Sequence, residues 1–126
     1  MPSRLLSDLD PRVYAQAVAI LAAWSKAGHD VIVTCTYRSN DEQDALYAQG
    51  RTKPGPIVTH ARAGESLHNS RLALDFAPLT GGKVDWENTE KFEELGRLAM
   101  ATDPRVMWGG LWQPAKRDMP HIEWKV

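Results

Sequence analysis

Three stretches of the sequence carry side chains that can do chemistry together. They are Thr36-Tyr37-Arg38-Ser39, Gly64-Glu65-Ser66-Leu67-His68-Asn69-Ser70-Arg71-Leu72-Ala73-Leu74-Asp75 and Asp118-Met119-Pro120-His121-Ile122-Glu123-Trp124. In an extended strand, Leu72, Leu74 and Phe76 fall on one face and Asp75 on the other; His121 and Glu123 likewise fall opposite Ile122 and Trp124. If both strands bury their large apolar side, Asp75 and His121 project into one cleft, and the Gly/Ser/Asn-rich turn before Asp75 can bring His68 over them. His, Asp and His are nitrogen and oxygen donors for zinc, and three of them leave a fourth position open for water, as catalytic zinc sites do. Structural zinc sites are closed and rich in cysteine, and Cys35 is the one cysteine of the chain.

Two further residues complete a hydrolytic set. Asp118 stands three residues before His121, across a Met-Pro pair that kinks the entry to the strand, where a carboxylate can act as general base toward an attacking water. Arg38 follows a short apolar run and can hydrogen-bond an oxyanion or the substrate backbone. Spacing alone leaves plainer roles open: solvated or capping histidines, Asp75 and Asp118 as turn formers, Arg38 as a surface charge.

The elements that must position these groups are legible from periodicity. Asp10-Pro11 opens a helix, with Asp10 as N-cap, whose apolar face is Val13, Ala17, Ile20, Leu21 and Trp24 and which Gly28 ends. Val31 to Thr36 is a buried strand in which Cys35 is expected to face the core as a small apolar residue. Ser39-x-x-Glu42 is a capping box opening a second helix to about Gly50. Ile57-Val58-Thr59 suggests a short strand, Leu72 to Phe76 a longer one, and Pro78 to Gly82 a turn. A third helix spans Trp86 or Asn88 to Met100 on Phe92, Leu95 and Ala99. Val106-Met107-Trp108 and His121 to Trp124 read as final strands. Helices and strands do not alternate regularly, which predicts an α+β domain with helices packed on a central, mainly antiparallel sheet.

The bulk composition bounds the rest. The chain has 126 residues, 43% hydrophobic and 25% charged, with a formal net charge of −1. That fits one domain over residues 1–126, with no separate wall-binding unit expected. No basic run marks a nucleic-acid surface, and no apolar stretch is long enough to insert in a membrane. The N-terminal residues lack the apolar run of a signal peptide, so cytoplasmic synthesis is expected. A monomer is expected. Trp108 and Trp112 flank a Gly-Gly pair that suits a turn or close backbone approach, and either a core or a cleft role fits each tryptophan.

The ordered set of motifs resembles a family of zinc peptidases. The pattern S-x-H-x₆-D, followed much later by D-x-P-H-x-E-W, is shared with D-Ala-D-Ala carboxypeptidases, vancomycin-resistance D,D-dipeptidases and phage L-alanyl-D-glutamate endopeptidases, and is most like the phage branch. The resemblance runs from about Val31 to the C-terminus and includes Thr36 to Ser39, Gln43, Tyr47, Val58-Thr59, Ala61, Gly64, Ser66, His68-Asn69, Leu72-Ala73, Asp75-Phe76, Trp108 to Gly110, Trp112, Asp118, Pro120-His121 and Glu123-Trp124. It implies one zinc ion on His68, Asp75 and His121, Asp118 as catalytic base, Arg38 on the scissile carbonyl or its oxyanion, and Ser66 and Glu123 orienting the ligands. Gln43 and Tyr37 join them as ligand-orienting or substrate-binding residues. Aspartate at 118, where many D,D-acting relatives have glutamate, implies cleavage between L-Ala and D-Glu of the peptidoglycan stem peptide. The expected role is that of an endolysin reaching the wall when the inner membrane is breached. D-Ala-D-Ala cleavage and an inactive, zinc-stabilised binding module are the alternatives. Arg71 departs from the glycine common in the family. His60 stands where asparagine is common and is read as a loop residue; His29 is read as uninvolved.

Overall fold

A computed structural model describes residues 2–126. Three helices, α1 (Pro11–Lys26), α2 (Asn40–Ala48) and α3 (Thr89–Thr102), accompany five strands: β1 (Val31–Cys35), β2 (Ala73–Thr80), β3 (Lys83–Val84), β4 (Val106–Trp108) and β5 (His121–Trp124). The strands lie in the order β1-β2-β5-β4, all antiparallel, with β3 folded back on the end of β2. This is the expected α+β architecture. Among the described residues no helix is long and apolar enough to cross a membrane.

The helix ends follow from local chemistry. The Asp10 carboxylate accepts from the Arg12 backbone N–H at the start of α1, and Ser39 and Glu42 cap each other's backbone at the start of α2. Gly28, at φ +87°, closes α1: its N–H donates to the Ser25 carbonyl and that of His29 to the Trp24 carbonyl, a pairing that needs the left-handed backbone. Val13, Ala17, Ile20 and Trp24 of α1 and Phe92, Leu95 and Ala99 of α3 are buried against Leu74, Phe76, Ile122 and Trp124 of the sheet. Phe76 packs its ring 4.8 Å from that of Trp24 and 5.9 Å from that of Phe92.

Three local expectations are corrected. Ile57 to Thr59 form no strand; Ile57 and Val58 are exposed in an irregular loop between α2 and β2. The turn assigned to Pro78 through Gly82 shrinks to Gly81-Gly82, because β2 runs on to Thr80 and pairs with both β1 and β3. Cys35 is buried but does not join the apolar core. Val31, Ile32 and Val33 oppose Pro78, Ala77 and Phe76 in turn, and then Cys35, not Thr34, opposes Asp75. The extra residue is a β-bulge, and it transfers the next side chain to the other face of the sheet.

Candidate metal centre

The bulge sets one row across the sheet: Cys35 of β1, Asp75 of β2 and His121 of β5 are register partners on neighbouring strands. His68 joins the row from the turn before β2, with its carbonyl accepting from the Arg38 and Arg71 N–H groups. Its Nε2 lies 3.1 Å from Asp75 Oδ1, and His121 Nδ1 lies 2.9 Å from the same oxygen. Both rings are buried and their centroids are 5.1 Å apart. A donor atom each from Asp75, Asp118 and His121 falls within 4.8 Å of the others, and the same holds for Cys35, His68 and Asp75.

Hydrogen bonding on the outer side of each imidazole fixes which nitrogen carries a proton. His68 Nδ1–H donates to the Thr36 carbonyl at 2.8 Å, and His121 Nε2–H donates to Glu123 Oε1 at 2.8 Å. In the neutral rings the inner nitrogens therefore present lone pairs to a carboxylate oxygen, which is repulsive unless a proton or a cation sits between them. The donor set fits zinc on this ground: two imidazoles with their outer N–H groups anchored on a carbonyl and a carboxylate, and a carboxylate shared between them. Without a metal the same geometry calls for protons. Burial alone pushes His68 down, but Asp75 and Cys35 outweigh it and hold the ring up at about 10. Burial also opposes His121, which Asp75 and Glu123 hold up at about 9. Asp75 is held below the usual carboxylate range by the two imidazoles against the opposite push of its burial.

Around this row lies an open cleft of about 730 Å³. Arg38 enters it from the end of β1. Its Nη1 donates to Gln43 Oε1 at 2.8 Å, its Nη2 lies 3.8 Å from Asp75 Oδ2, and its buried Nε–H has no hydrogen-bond partner among the described residues. Gln43 is fully buried and in turn donates to the Ala61 carbonyl at 2.7 Å, tying Arg38 to the loop that forms one wall. Asp118 is held beside the donors because its N–H donates to the Gly109 carbonyl and a Cβ on Gly109 would collide with the Asp118 carbonyl oxygen. Burial, and then the negative charge of Asp75, raise the Asp118 pKa. Ser66 lines the cleft, its Oγ accepting from the His68 N–H at 3.2 Å.

Of the residues singled out from the sequence, His68, Asp75, His121, Asp118, Arg38, Ser66, Glu123 and Gln43 converge here. Tyr37 does not: it lies outside the cleft lining, with the Arg71 guanidinium 3.9 Å above its ring. Trp112 lines the cleft, its ring 5.3 Å from His121, whereas Trp108 is core and donates its Nε1–H to the Met119 carbonyl. His60 is an exposed wall residue, and His29 sits apart, facing Glu94. Sequence reasoning missed the place of Cys35, 3.7 Å from His68 Nδ1 and 3.6 Å from Arg38 Nη2, and the role of Asn69, whose Nδ2 donates to the Arg38 and Ser39 carbonyls. The bulge that moves Cys35 has no signature in a β-branched run.

Comparison with known proteins identifies the family and the fold. The family model for D-alanyl-D-alanine carboxypeptidases, VanY, matches residues 6–107. Peptidoglycan L-alanyl-D-glutamate endopeptidase CwlK of Bacillus subtilis (strain 168) is 44% identical over 124 residues, covering 93% of this chain and 74% of that protein. The solved L-Ala D-Glu endopeptidase ChiX of Serratia marcescens superposes with a TM-score of 0.70 at 20% identity, over 99% of this chain and 89% of that one. The vancomycin resistance D,D-pentapeptidase VanY, a mutant solved in complex with Zn(II), superposes with a TM-score of 0.68 at 16% identity, over 92% and 72%. At such identities the two structures share the fold.

Proposed function

The chain belongs to the D-alanyl-D-alanine carboxypeptidase family, and from that premise we propose that it is a zinc metallo-endopeptidase that hydrolyses the peptidoglycan stem peptide between L-Ala and D-Glu. His68, Asp75 and His121 would hold one zinc ion. The observation that carries the reading is the pair of inner imidazole nitrogens facing one Asp75 oxygen while each outer N–H is already anchored. The 44% identity to a protein named as an L-alanyl-D-glutamate endopeptidase supports the choice of bond, as does aspartate at position 118.

A divalent ion at this place supplies Lewis acidity, acidifying a water and polarising a peptide carbonyl. The chain's own residues do the rest. Asp118, whose burial makes it a better proton acceptor than an exposed aspartate, takes a proton from the attacking water and returns one to the leaving nitrogen of D-Glu. Arg38, which lines the cleft, brings its guanidinium charge to the oxygen of the scissile carbonyl, where negative charge develops. Gln43 keeps the guanidinium in place. Ser66 and Glu123 hold the orientation of His68 and His121.

A chelator is expected to abolish wall hydrolysis and added zinc to restore it; full activity in metal-free protein would refute the mechanism. Mass spectrometry of digested stem peptides identifies the bond: a new N-terminal D-Glu supports this reading, whereas release of D-Ala favours the carboxypeptidase activity for which the family is described. Asp118→Asn should lower kcat by about 10²–10⁴-fold with zinc retained; an unchanged turnover would remove Asp118 from the role of base, and wall binding without turnover in the wild type, left unaltered by the substitution, would point to a binding module. The likeness to phage endopeptidases extends the proposal to an endolysin acting on the wall in host lysis. Induced expression with a membrane-permeabilising partner should then lyse cells, and Asp118→Asn should not.

A further inference from the structure

The two walls of the cleft differ in charge. One is the loop through Ile57 and Ala61, which among the described residues contributes no lysine or arginine to the cleft lining. The other is the segment from Trp112 to Asp118, where Lys116 and Arg117 line the cleft and are exposed. Among the described residues neither side chain has a hydrogen-bond or acidic partner; only their backbone N–H groups are engaged, with the Gln113 and Pro114 carbonyls. The remaining cleft cation, Arg38, is already shared between Gln43 and Asp75. The segment is set in place by the Asp118–Gly109 contact and by Trp112 against His121. Two neighbouring unpaired cations are therefore presented immediately before the residue that lies among the metal donors.

The substrate chemistry gives these cations an object. In the stem peptide D-Glu continues the chain through its γ-carboxyl group, so the carbon that bears the scissile nitrogen also bears a free α-carboxylate. That carboxylate is two bonds from the nitrogen that receives the proton from Asp118, which brings it within reach of the residues flanking Asp118. Resting on the endopeptidase reading above, we propose that Lys116 and Arg117 bind the free α-carboxylate of D-Glu and make the enzyme selective for stem peptides in which it is not amidated. A cation paired with a carboxylate makes charge-assisted hydrogen bonds that a neutral carboxamide only partly replaces. A site built for such a group loses affinity when the group is changed.

The test uses two synthetic peptides that differ in one group, L-Ala-γ-D-Glu-L-Lys and its α-carboxamide counterpart, with the zinc-loaded full chain. Wild type should cleave the free acid with a kcat/KM about tenfold above that of the amide. The Lys116→Met, Arg117→Met double variant should bring the ratio to within about twofold of one, and Lys116→Glu should lower it further. A wild-type ratio already near one, or a ratio retained in the double variant, overturns the proposal while leaving L-Ala–D-Glu cleavage intact. Cleavage of neither peptide at that bond, with D-Ala released from a pentapeptide, overturns the endopeptidase reading and this inference with it.

Discussion

Strand β2 buries both of its faces, and it does so by opposite means. Toward the helices it places Leu74 and Phe76, fully buried among Trp24, Phe92 and Ile122. Toward the cleft it places Asp75 between two buried imidazoles. The apolar face stabilises the fold by removing surface from water, which is tolerant of detail. The polar face stabilises nothing by burial alone: two lone pairs aimed at a carboxylate require a cation or a pair of protons. One strand thus carries the part of the molecule that folds it and a part whose contribution depends on a proton or a cation between its polar groups.

Single substitutions one residue apart on β2 should separate the two. Asp75→Ala is expected to abolish zinc binding and wall hydrolysis while the chain still folds, since it removes the acceptor shared by both imidazoles. Metal content by elemental analysis and wall turbidity report this. Phe76→Ala should do the reverse, lowering unfolding free energy by about 3–5 kcal/mol with one zinc still bound by the protein that remains folded. Equal loss of zinc in both variants would erase the distinction between the faces.

The apolar face was the more legible in the sequence for the same reason. Val13, Ala17, Ile20 and Trp24, and Leu74 with Phe76, repeat at the periods of a helix and a strand, and local spacing determines which side they bury. The centre gathers donors from β1, the turn before β2, β2 itself and β5, and no local period relates them. Strand parity put Asp75 and His121 on one face; for His68, Asp118 and Arg38 the spacing offered a role in the site beside plainer ones, and the likeness of an ordered motif to a known family chose between them. Where local parity was extended without such help it failed: alternation from Val31 and Val33 sends Cys35 to the core, and one bulged residue sends it to the row of Asp75 and His121. Ile57 and Val58 failed differently, as β-branched residues that serve a cleft wall with no strand to pair with.

A titration of the metal-free protein sharpens the contrast. His68 and His121 are held above the 6.5 of an ordinary histidine, at about 10 and about 9, so folding takes up protons at these rings. Their contribution is complete below about pH 6.5 and is lost as the pH rises toward 9 and 10. Asp75 is held low, so its contribution is present above the ordinary 3.8 and is lost in stronger acid. Chemical denaturation of the metal-free protein should accordingly show stability falling from pH 6.5 to 10, and Asp75→Ala should flatten that fall. With zinc bound the trend should reverse over neutral pH, because protons and metal compete for the same nitrogens. A metal-free protein equally stable at pH 6 and pH 9 would contradict the hydrogen-bond assignment on which the zinc site rests.

The smallest effect is expected at Arg71, in the turn that joins His68 to β2. It is the one non-glycine residue with positive φ among the described residues, at +64°, a backbone region that disfavours side chains with a Cβ by roughly 1 kcal/mol. A glycine at this position would avoid that strain. Arg71 offsets it by laying its guanidinium 3.9 Å above the Tyr37 ring and donating Nη1–H to the Asp8 carbonyl, while its own carbonyl accepts from the Asp10 N–H. Arg71→Ala keeps the strained backbone and loses both side-chain contacts; Arg71→Gly loses the contacts and the strain together. The alanine variant should therefore be less stable than the glycine variant by about 1 kcal/mol, with zinc affinity alike in the two. If the alanine variant instead bound zinc more weakly than the glycine variant, this turn would be setting the position of His68, and the separation between a face that folds the protein and a face that binds the ion would not extend past the strand itself.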